Sequence, residues 1–450
     1  VAWKAEERQG KRKIVMQTYD YAIVGNSAAA INACDAIRSL DREGRLAVFA
    51  EEKRRCYSRP LICYLVMGEI GEKGMYYRPS GYYRRWGIDF YPGTAVRKVD
   101  AERRLLETSR GERFKWRRLL LATGFRPFIP PVEGLEEARY LTFVSWDDAR
   151  AMIRLTSRPL RALVMGAGLI GMKAAESLHA RGCHVAVVEK MDRVLPLALD
   201  ETASEMVAAR CREAGMEILT GKSVSRVTAG GGYRGRALLD DGAEVDFDLL
   251  VVAVGVRPRT ELAEEAGLEC RGGIVVDEYQ RTSQPGVFAA GDVALAFDLV
   301  RGEAAVNALW PVAAMQGKYA GLNMAGREVP YPGGNSMHAV EFFGLPVLSA
   351  GVVNPPDDSY EVIVRRGENG DYRKAVVRGD LLVGMLMAGK IERAGILTSL
   401  IQERANVRRI KNFLLEEGFG HIHFPRSLRE ERIVEAVAGL ARADRERGRG

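Results

Sequence analysis

The stretch 162–189, ALVMGAGLIGMKAAESLHARGCHVAVVE, is the most informative part of this chain. Ala162 to Met165 is an apolar strand, and Gly166, Gly168 and Gly171 form a full GxGxxG turn. A helix follows through His179, and a second strand, His184 to Val188, closes at Glu189. In such a unit the first glycine permits the turn, the second lets a pyrophosphate approach the backbone, and the third brings helix and strand together. The free N–H groups at the helix start then bind the phosphates. Glu189 lies 23 residues beyond Gly166, where a carboxylate accepts both hydroxyls of an adenosine ribose. The same carboxylate opposes a 2′-phosphate, so NADH is expected over NADPH, with Lys190 and Arg193 as the cations that work against that preference.

Outward from this unit, the same grammar appears earlier in the chain. Tyr21 to Val24 reads as a strand, Ala28 to Leu40 as an alanine-rich helix, and Leu46 to Phe49 as a second strand ending at Glu51 and Glu52. Its turn, GNSAAA from Gly25 to Ala30, keeps only the first glycine, but Ser27 and Ala30 are small enough for close approach. Glu51 is the expected ribose carboxylate, with Glu52 at the surface. Two such units about 140 residues apart imply two nucleotide-binding modules. Arg118 to Ala122 runs into Ala122-Thr123-Gly124 and a proline-rich turn, and Leu249 to Val254 runs into Gly255, Arg257 and Pro258 as its counterpart. Val287 to Ala290 ends in Gly291-Asp292. Residues 332–336 read as a linker into a third region with alternating stretches, Tyr360 to Arg365 and Lys374 to Val377, and a helical stretch from Ala394 to Leu415. The expected fold is α/β, with two dinucleotide-binding, Rossmann-like domains and a C-terminal α+β interface domain.

The 450 residues are 47% hydrophobic and 28% charged, which excludes wholesale disorder, a fibre or a coiled coil. Six cysteines form neither CxxC nor a four-cysteine cluster, so no zinc ribbon or iron-sulfur site is expected. His421 and His423 alternate, sharing a face if extended, but lack a third ligand, and no metal is expected. No membrane span or signal peptide is visible, which points to the cytoplasm. Of the net charge of +7, residues 1–19 carry +3 and 426–450 carry +2. A nucleic-acid partner, which needs a concentrated basic stripe, is therefore not expected, whereas a weakly basic face meeting an acidic protein is.

Taken together, GNSAAA at 25–30, ATGFRP at 122–127, GAGLIG at 166–171, VGVRP at 254–258 and TSQPGVFAAGDVA at 282–294 resemble the pyridine nucleotide-disulfide oxidoreductases, flavoproteins with two dinucleotide sites. The resemblance covers roughly residues 19–330. It implies an FAD domain in two segments, 19–136 and 256–331, and an inserted NAD(P)H domain, 137–255. A C-terminal interface domain, 332–425, and charged extensions, 1–18 and 426–450, complete the chain. It implies that Asp292, placed by Gly291, hydrogen-bonds the FAD ribityl chain, and that Trp310 begins the helix under the flavin pyrimidine. Gly25, Ser27, Ala30, Glu51, Arg59, Ala122, Thr123, Gly124 and Gly255 would complete the FAD contacts, and Gly166, Gly168, Gly171 and Glu189 would bind the nicotinamide nucleotide.

The departures from that family are informative. Members with a redox thiol carry it on a helix facing the flavin, and in CYSRPLICYLVMG, Cys56 to Gly68, that position falls on Pro60. Proline has no nucleophile, so sulfenate or mixed-disulfide chemistry has no carrier there. Cys63 is expected to pack the helix and Cys56 to lie outside it. The pattern Tyr57 to Leu61 resembles the branch that passes electrons to rubredoxin, ferredoxin or an iron-sulfur subunit. Arg59 is the candidate for charge support near the reduced ring, and Pro60 for the helix start that faces it. Lys173 stands where the family has Glu beside the nicotinamide, with Glu176 as its helical partner. The expected function is an FAD-dependent NAD(P)H:acceptor oxidoreductase that hands electrons to a separate redox protein. Alternatives are an NADH oxidase, a disulfide reductase, and a flavin-carrying relay subunit of a larger iron-sulfur complex. The apolar strands of the third region also suggest a homodimer.

Overall fold

The apolar run at the start of the chain extends as the strand Thr18–Val24, buried from Tyr21 onward, as expected of a parallel strand covered on both faces. The structure is a computed structural model and describes residues 16–424 and 429. The charged extensions lie outside these residues, apart from 16–18 and 429. Thr18–Val24 pairs in parallel with Leu46–Phe49 and Arg113–Leu121. Ile88–Tyr91 extends one side of the sheet, and Leu105–Thr108 with Val96–Asp100 continue the other in antiparallel pairing. Val287–Ala289, which follows the second glycine unit, returns to pair in parallel with Leu119 to Leu121. Residues beyond 255 thus complete a sheet begun before 136.

The second glycine unit is a parallel sheet in the order Glu217–Thr220, His184–Glu189, Arg161–Met165, Leu249–Val252. The last strand stops two residues short of the expected Val254: its neighbour ends at Met165 and turns at Gly166, φ +99°, so the bond from Ala253 N to the Met165 carbonyl is the last across the pair. The two proline-bearing turns pair with each other: Phe125–Pro127 lies antiparallel to Val256–Pro258. Both crossings between the units therefore run in one ribbon.

The helices Ala28–Leu40 and Trp310–Met324 pack backbone to backbone. A Cβ at Gly317 would sit 2.1 Å from the Ala29 carbonyl oxygen, so only glycine allows this approach. The alanines of the first helix complete the contact: Ala29, Ala30 and Ala33 are all buried.

The third region is an antiparallel sheet in the order Met337–Phe342, Leu345–Gly351, Leu381–Ala388, Tyr372–Arg378, Tyr360–Arg366. Three expectations need correction here. The helix from Ala394 ends at Gln402, not Leu415. Arg404 turns to φ +50°, Asn406 bridges to Leu381, and Ile410, Leu414 and Leu415 reach the same core from a folded-back loop. Pairing with the neighbouring strand end outcompetes another helical turn, although the apolar spacing suits both. The expected linker 332–336 is a packed strap, with Gly333 to Asn335 buried and Gly334 bridged to Asp298. His421–His423 is a 3-10 turn, not an extended segment.

Two polar joints, one buried and one half-buried, fix this third region to the second glycine unit. Asp200 Oδ2 accepts from Tyr372 Oη at 2.6 Å and Lys374 Nζ at 2.9 Å, while its Oδ1 caps the helix Glu201–Glu213. Lys173 Nζ donates to Glu176 Oε2 and to the Glu341 carbonyl, both at 2.7 Å. Such a pair is costly to break one-sidedly, because the remaining charge stays buried.

The helix contact makes a direct prediction. Gly317→Ala lowers unfolding stability by about 1–3 kcal/mol through overpacking. Gly395→Ala, at an exposed helical position with nothing within 4 Å of the added Cβ, raises it by about 0.5–1 kcal/mol. Thermal and denaturant unfolding of the two variants checks this, and equal effects would contradict the packing account.

Candidate active site

The carboxyl end of the first sheet opens into a cavity of about 480 Å³ lined by Val24, Gly25, Glu51, Thr123, Arg126 and Arg259, among others. Gly25 ends the strand at φ +123°, and the helix Ala28–Leu40 starts behind it with Ser27 as N-cap. No side chain caps that helix start, so its first N–H groups are open to an anion. Ala30 is fully buried within the helix. Ala122 leads into a turn in which Thr123 Oγ1 donates to the Arg259 carbonyl at 2.8 Å and Arg259 N donates to the Gly124 carbonyl. Gly255 accepts from Phe128 N at 2.9 Å and holds the other half of the ribbon. Glu51 reaches the cavity and pairs with Arg259 at 2.5 Å.

Gly291, where an added Cβ would lie 3.0 Å from the Ala29 Cβ, turns at φ +83° and places Asp292. Asp292 Oδ1 is buried with no hydrogen-bond partner among the described residues, and burial pushes its pKa up to about 6 against the pull of Arg59. A buried carboxylate oxygen without a donor is costly until a bound group supplies one. The helix Trp310–Met324 begins close by, with Pro311 in its first turn and no side-chain cap. Gly291 N donates to Gln316 Oε1 of that helix at 2.7 Å. An orphaned carboxylate between two uncapped helix starts fits a dinucleotide whose pyrophosphate and hydroxylated chain supply the missing charge and donors.

Arg59 is held by a network that the sequence reading missed. Its Nη2 pairs with Glu52 Oε1 at 2.5 Å, and its Nη1 donates to the Val144 carbonyl at 2.7 Å. Tyr57 Oη donates to Glu52 Oε2 at 2.8 Å and accepts from Trp146 N at 3.0 Å. Glu52, expected at the surface, is half-buried, whereas Glu51 is the exposed member of the pair. The signal was present: residues i and i+2 of an extended segment share a face, so Tyr57 and Arg59 together demand one acidic partner.

Pro60 is exposed in the 3-10 turn Arg59–Leu61, which leads into the short helix Ile62–Met67. Cys63 is 4% exposed, its Sγ 3.3 Å from the Pro60 carbonyl, and Cys56 is 2% exposed. Burial pushes both thiols up, Cys56 to about 12. Neither is a thiolate at neutral pH, and the six cysteines are all free.

In the second unit, Gly171 lets the helix Leu169–Ala180 approach its own turn: a Cβ there would lie 1.9 Å from the Gly166 carbonyl oxygen. Gly168 is the N-cap, without a side-chain bond. Glu189 ends its strand with Oε2 accepting from Ala167 N at 2.7 Å and Oε1 from Met191 N at 2.8 Å. Oε2 is thus tied to the glycine turn and Oε1 to the chain beyond the strand, and each oxygen keeps a lone pair for a further donor. Arg193 pairs with Asp192 at 2.9 Å, while Lys190 is exposed. Lys173 does meet Glu176 as expected, and its ammonium also lies 4.7 Å from the Phe342 ring centroid. Its donors are engaged in the joint to the third region. No helix among the described residues is long and apolar enough to cross a membrane, and none of their His, Cys, Asp and Glu side chains form a metal-holding group of three or more.

Residues 19–317 match the family described as pyridine nucleotide-disulphide oxidoreductase, and residues 337–405 match the rubredoxin NAD+ reductase C-terminal domain. The chain is 32% identical over 398 residues to the NADH-dependent phenylglyoxylate dehydrogenase subunit epsilon of Aromatoleum evansii, covering 87% of this chain and 93% of that one. It is 28% identical over 394 residues to the assimilatory nitrate reductase electron transfer subunit of Bacillus subtilis (strain 168), covering 86% of this chain but only 50% of that relative. Among solved structures, an NAD-dependent persulfide reductase from A. fulgidus superposes with a TM-score of 0.81 at 28% identity, covering 87% of this chain and 78% of that one. With the match over residues 19–317 and a relative 32% identical over nearly its whole length, the chain belongs to the pyridine nucleotide-disulphide oxidoreductase family as an NAD(P)H-dependent flavoprotein reductase.

Proposed function

We propose that the protein takes hydride from NADH to FAD and passes the electrons to a separate redox protein. The observation that carries this reading is the exposed Pro60 at the start of the helix Ile62–Met67, with Cys56 and Cys63 both buried and holding their protons. With no thiol poised to receive electrons, they leave through an acceptor from outside the chain. On this reading, residues 19–136 and 256–331 make the FAD unit, 137–255 the nicotinamide unit and 332–425 the interface unit.

When bound, FAD supplies hydride acceptance and release of electrons singly or in pairs. The chain supplies position and field. Gly25, Ser27 and Ala30 admit the pyrophosphate to the helix start, Glu51 takes the adenosine ribose, and Ala122 to Gly124 with Gly255 hold the adjoining turns. Asp292 accepts from a hydroxyl of the linking chain. Arg59, fixed by Glu52, places a cation beside Asp292, and the open N–H groups at Trp310 favour negative charge nearby. Gly166, Gly168 and Gly171 seat the second pyrophosphate, with Glu189 on its ribose.

A second reading, a relay subunit within a larger enzyme, is favoured by the relative of matching length that is itself named as a dehydrogenase subunit. Co-migration of the native protein with iron-sulfur subunits in gel filtration supports it, and elution alone or as a homodimer contradicts it.

Three outcomes are expected. FAD-loaded protein with NADH shows turnover that depends on an added rubredoxin or ferredoxin; NADH consumption that is the same without them, with oxygen as the only sink, points to an oxidase instead. Glu189 prefers NADH by at least ~10-fold in kcat/KM, since each hydrogen bond to a charged group contributes about 1.5–3 kcal/mol, and Glu189→Ala removes most of that preference while FAD stays bound. Finally, Asp292 binds FAD as the carboxylate and is protonated below about pH 6. Apo-protein titrations therefore lose up to about tenfold in FAD affinity per pH unit below that point. Asp292→Asn is weak at every pH and shows no such slope, and a slope that persists in the variant would refute the assignment.

A further inference from the structure

The third region begins with a hairpin of Met337–Phe342 and Leu345–Gly351, whose two-residue turn, Phe343 and Gly344, has φ of +48° and +76°. Side chains alternate between the faces of a strand, and the two faces of this hairpin enter different cores. Met337 and Ala350, paired in register, pack with the helix Ala394–Gln402. Val340, Phe342, Leu345 and Val347 pack with Ile62 and Cys63 of the short helix after Pro60. By register and alternation His338 and Ser349, directly opposite each other, share that second face. They are the only polar side chains that the paired residues from His338 to Ser349 place there.

Their polar atoms are unsatisfied. His338 Nδ1 and Ser349 Oγ are buried without a hydrogen-bond partner among the described residues, and Ser349 is 1% exposed. Residues opposite each other in this way hold their Cβ atoms about 4.5–5.5 Å apart. Burial pushes the His338 pKa below its ordinary value, so at neutral pH the ring is uncharged, with one donor and one acceptor nitrogen. The hydroxyl likewise donates and accepts. Two such orphans side by side are costly until another group satisfies both. An imide or amide edge does so, because it sets a carbonyl beside an N–H.

Position decides which edge. The chain before the strand rests on the helix that starts at Trp310: an added Cβ at Gly334 would lie 2.9 Å from Val312 Cγ1. The far end of the strand rests on the second unit, where Lys173 Nζ bonds the Glu341 carbonyl and lies 4.7 Å from the Phe342 ring centroid. On this face Val340 and Phe342 stand between His338 and Lys173, packed against Leu169 and Ile170 of the nicotinamide unit. His338 therefore lies on the side of the helix start assigned to the flavin.

We propose that His338 and Ser349 hold the pyrimidine edge of the flavin, hydrogen-bonding its carbonyl and N–H and binding the reduced ring more tightly than the oxidised one. The inference rests on FAD occupying the site marked by Asp292 and Trp310. Reduction adds electron density to the pyrimidine carbonyls, so a neutral donor there favours the reduced form and raises the potential.

The test reads the flavin rather than turnover. The full chain is loaded with FAD, and the midpoint potential and visible spectrum are measured for the unaltered protein, His338→Leu, His338→Asn and Ser349→Ala, with His184→Leu as an exposed control. Leucine keeps the bulk without the hydrogen bond, whereas the asparagine amide restores a polar group close to Nδ1. His338→Leu loses at least ~10-fold in the reduction equilibrium, a potential about 30 mV lower for a two-electron couple, and its visible band shifts. His338→Asn recovers at least half of that loss, Ser349→Ala shows a smaller loss in the same direction, and His184→Leu changes neither reading. Potential and spectrum unchanged in both His338→Leu and Ser349→Ala overturn the proposal. A loss in His338→Leu that asparagine does not restore overturns it too, because it marks a packing role. Where circular dichroism shows His338→Leu unfolded, Ser349→Ala decides: a lowered potential supports the proposal and an unchanged one overturns it. Variants with unaltered flavin but at least ~10-fold weaker NAD+ binding place the pair on the nicotinamide carboxamide and overturn the flavin assignment. The expected shifts in a protein that reduces no separate carrier overturn the acceptor reading alone.

Discussion

The active site depends on one close contact, the backbone of Gly317 against the carbonyl of Ala29. The helices Ala28–Leu40 and Trp310–Met324 run parallel in this contact, with Ala29 against Gly317 and Ala33 against Gly321, so their uncapped starts point the same way and are offset by about two turns. The return of Val287–Ala289 to Leu119 places Gly291 and Asp292 at the carboxyl edge of the first sheet. The paired turns Phe125–Pro127 and Val256–Pro258 join the two glycine units in one ribbon.

Burial then sorts the chemistry. The same desolvation raises Cys56, Cys63 and Asp292, yet with opposite consequences. For the thiols it favours the inert protonated form, whereas for Asp292 it leaves an acceptor that a bound hydroxyl group relieves. The cations behave differently again. Lys173 and Lys374 are sunk between units and matched to Glu176 and Asp200, so they orient the third region, while Lys53, Arg84 and Arg85 remain outside.

Most of the architecture was legible in the sequence because it rests on local signals. Glycine turns at strand ends, apolar runs and carboxylates at fixed spacing located both glycine units, whereas the helix that starts at Trp310 came from the family resemblance. What remained hidden depended on partners distant in the chain. Glu52 looks like a surface residue until Tyr57 and Arg59 fold onto it. Residues 403–415 carry helical spacing, and only the bridge between Asn406 and Leu381 reveals a loop. Lys173 reads as a nicotinamide-side substitution until the Glu341 carbonyl appears beside it.

The central claim is that electrons pass from nicotinamide to acceptor with no thiol in between. An anaerobic reductive titration of the FAD-loaded protein tests it directly, by counting the electrons taken up per flavin before excess reductant accumulates. The account predicts two electrons per flavin, and the same count and end-point spectrum in Cys63→Ser and Cys56→Ser, because the flavin is the only redox group. Uptake of four electrons, falling to two in either variant, or a long-wavelength thiolate-to-flavin band at the halfway point, would contradict it.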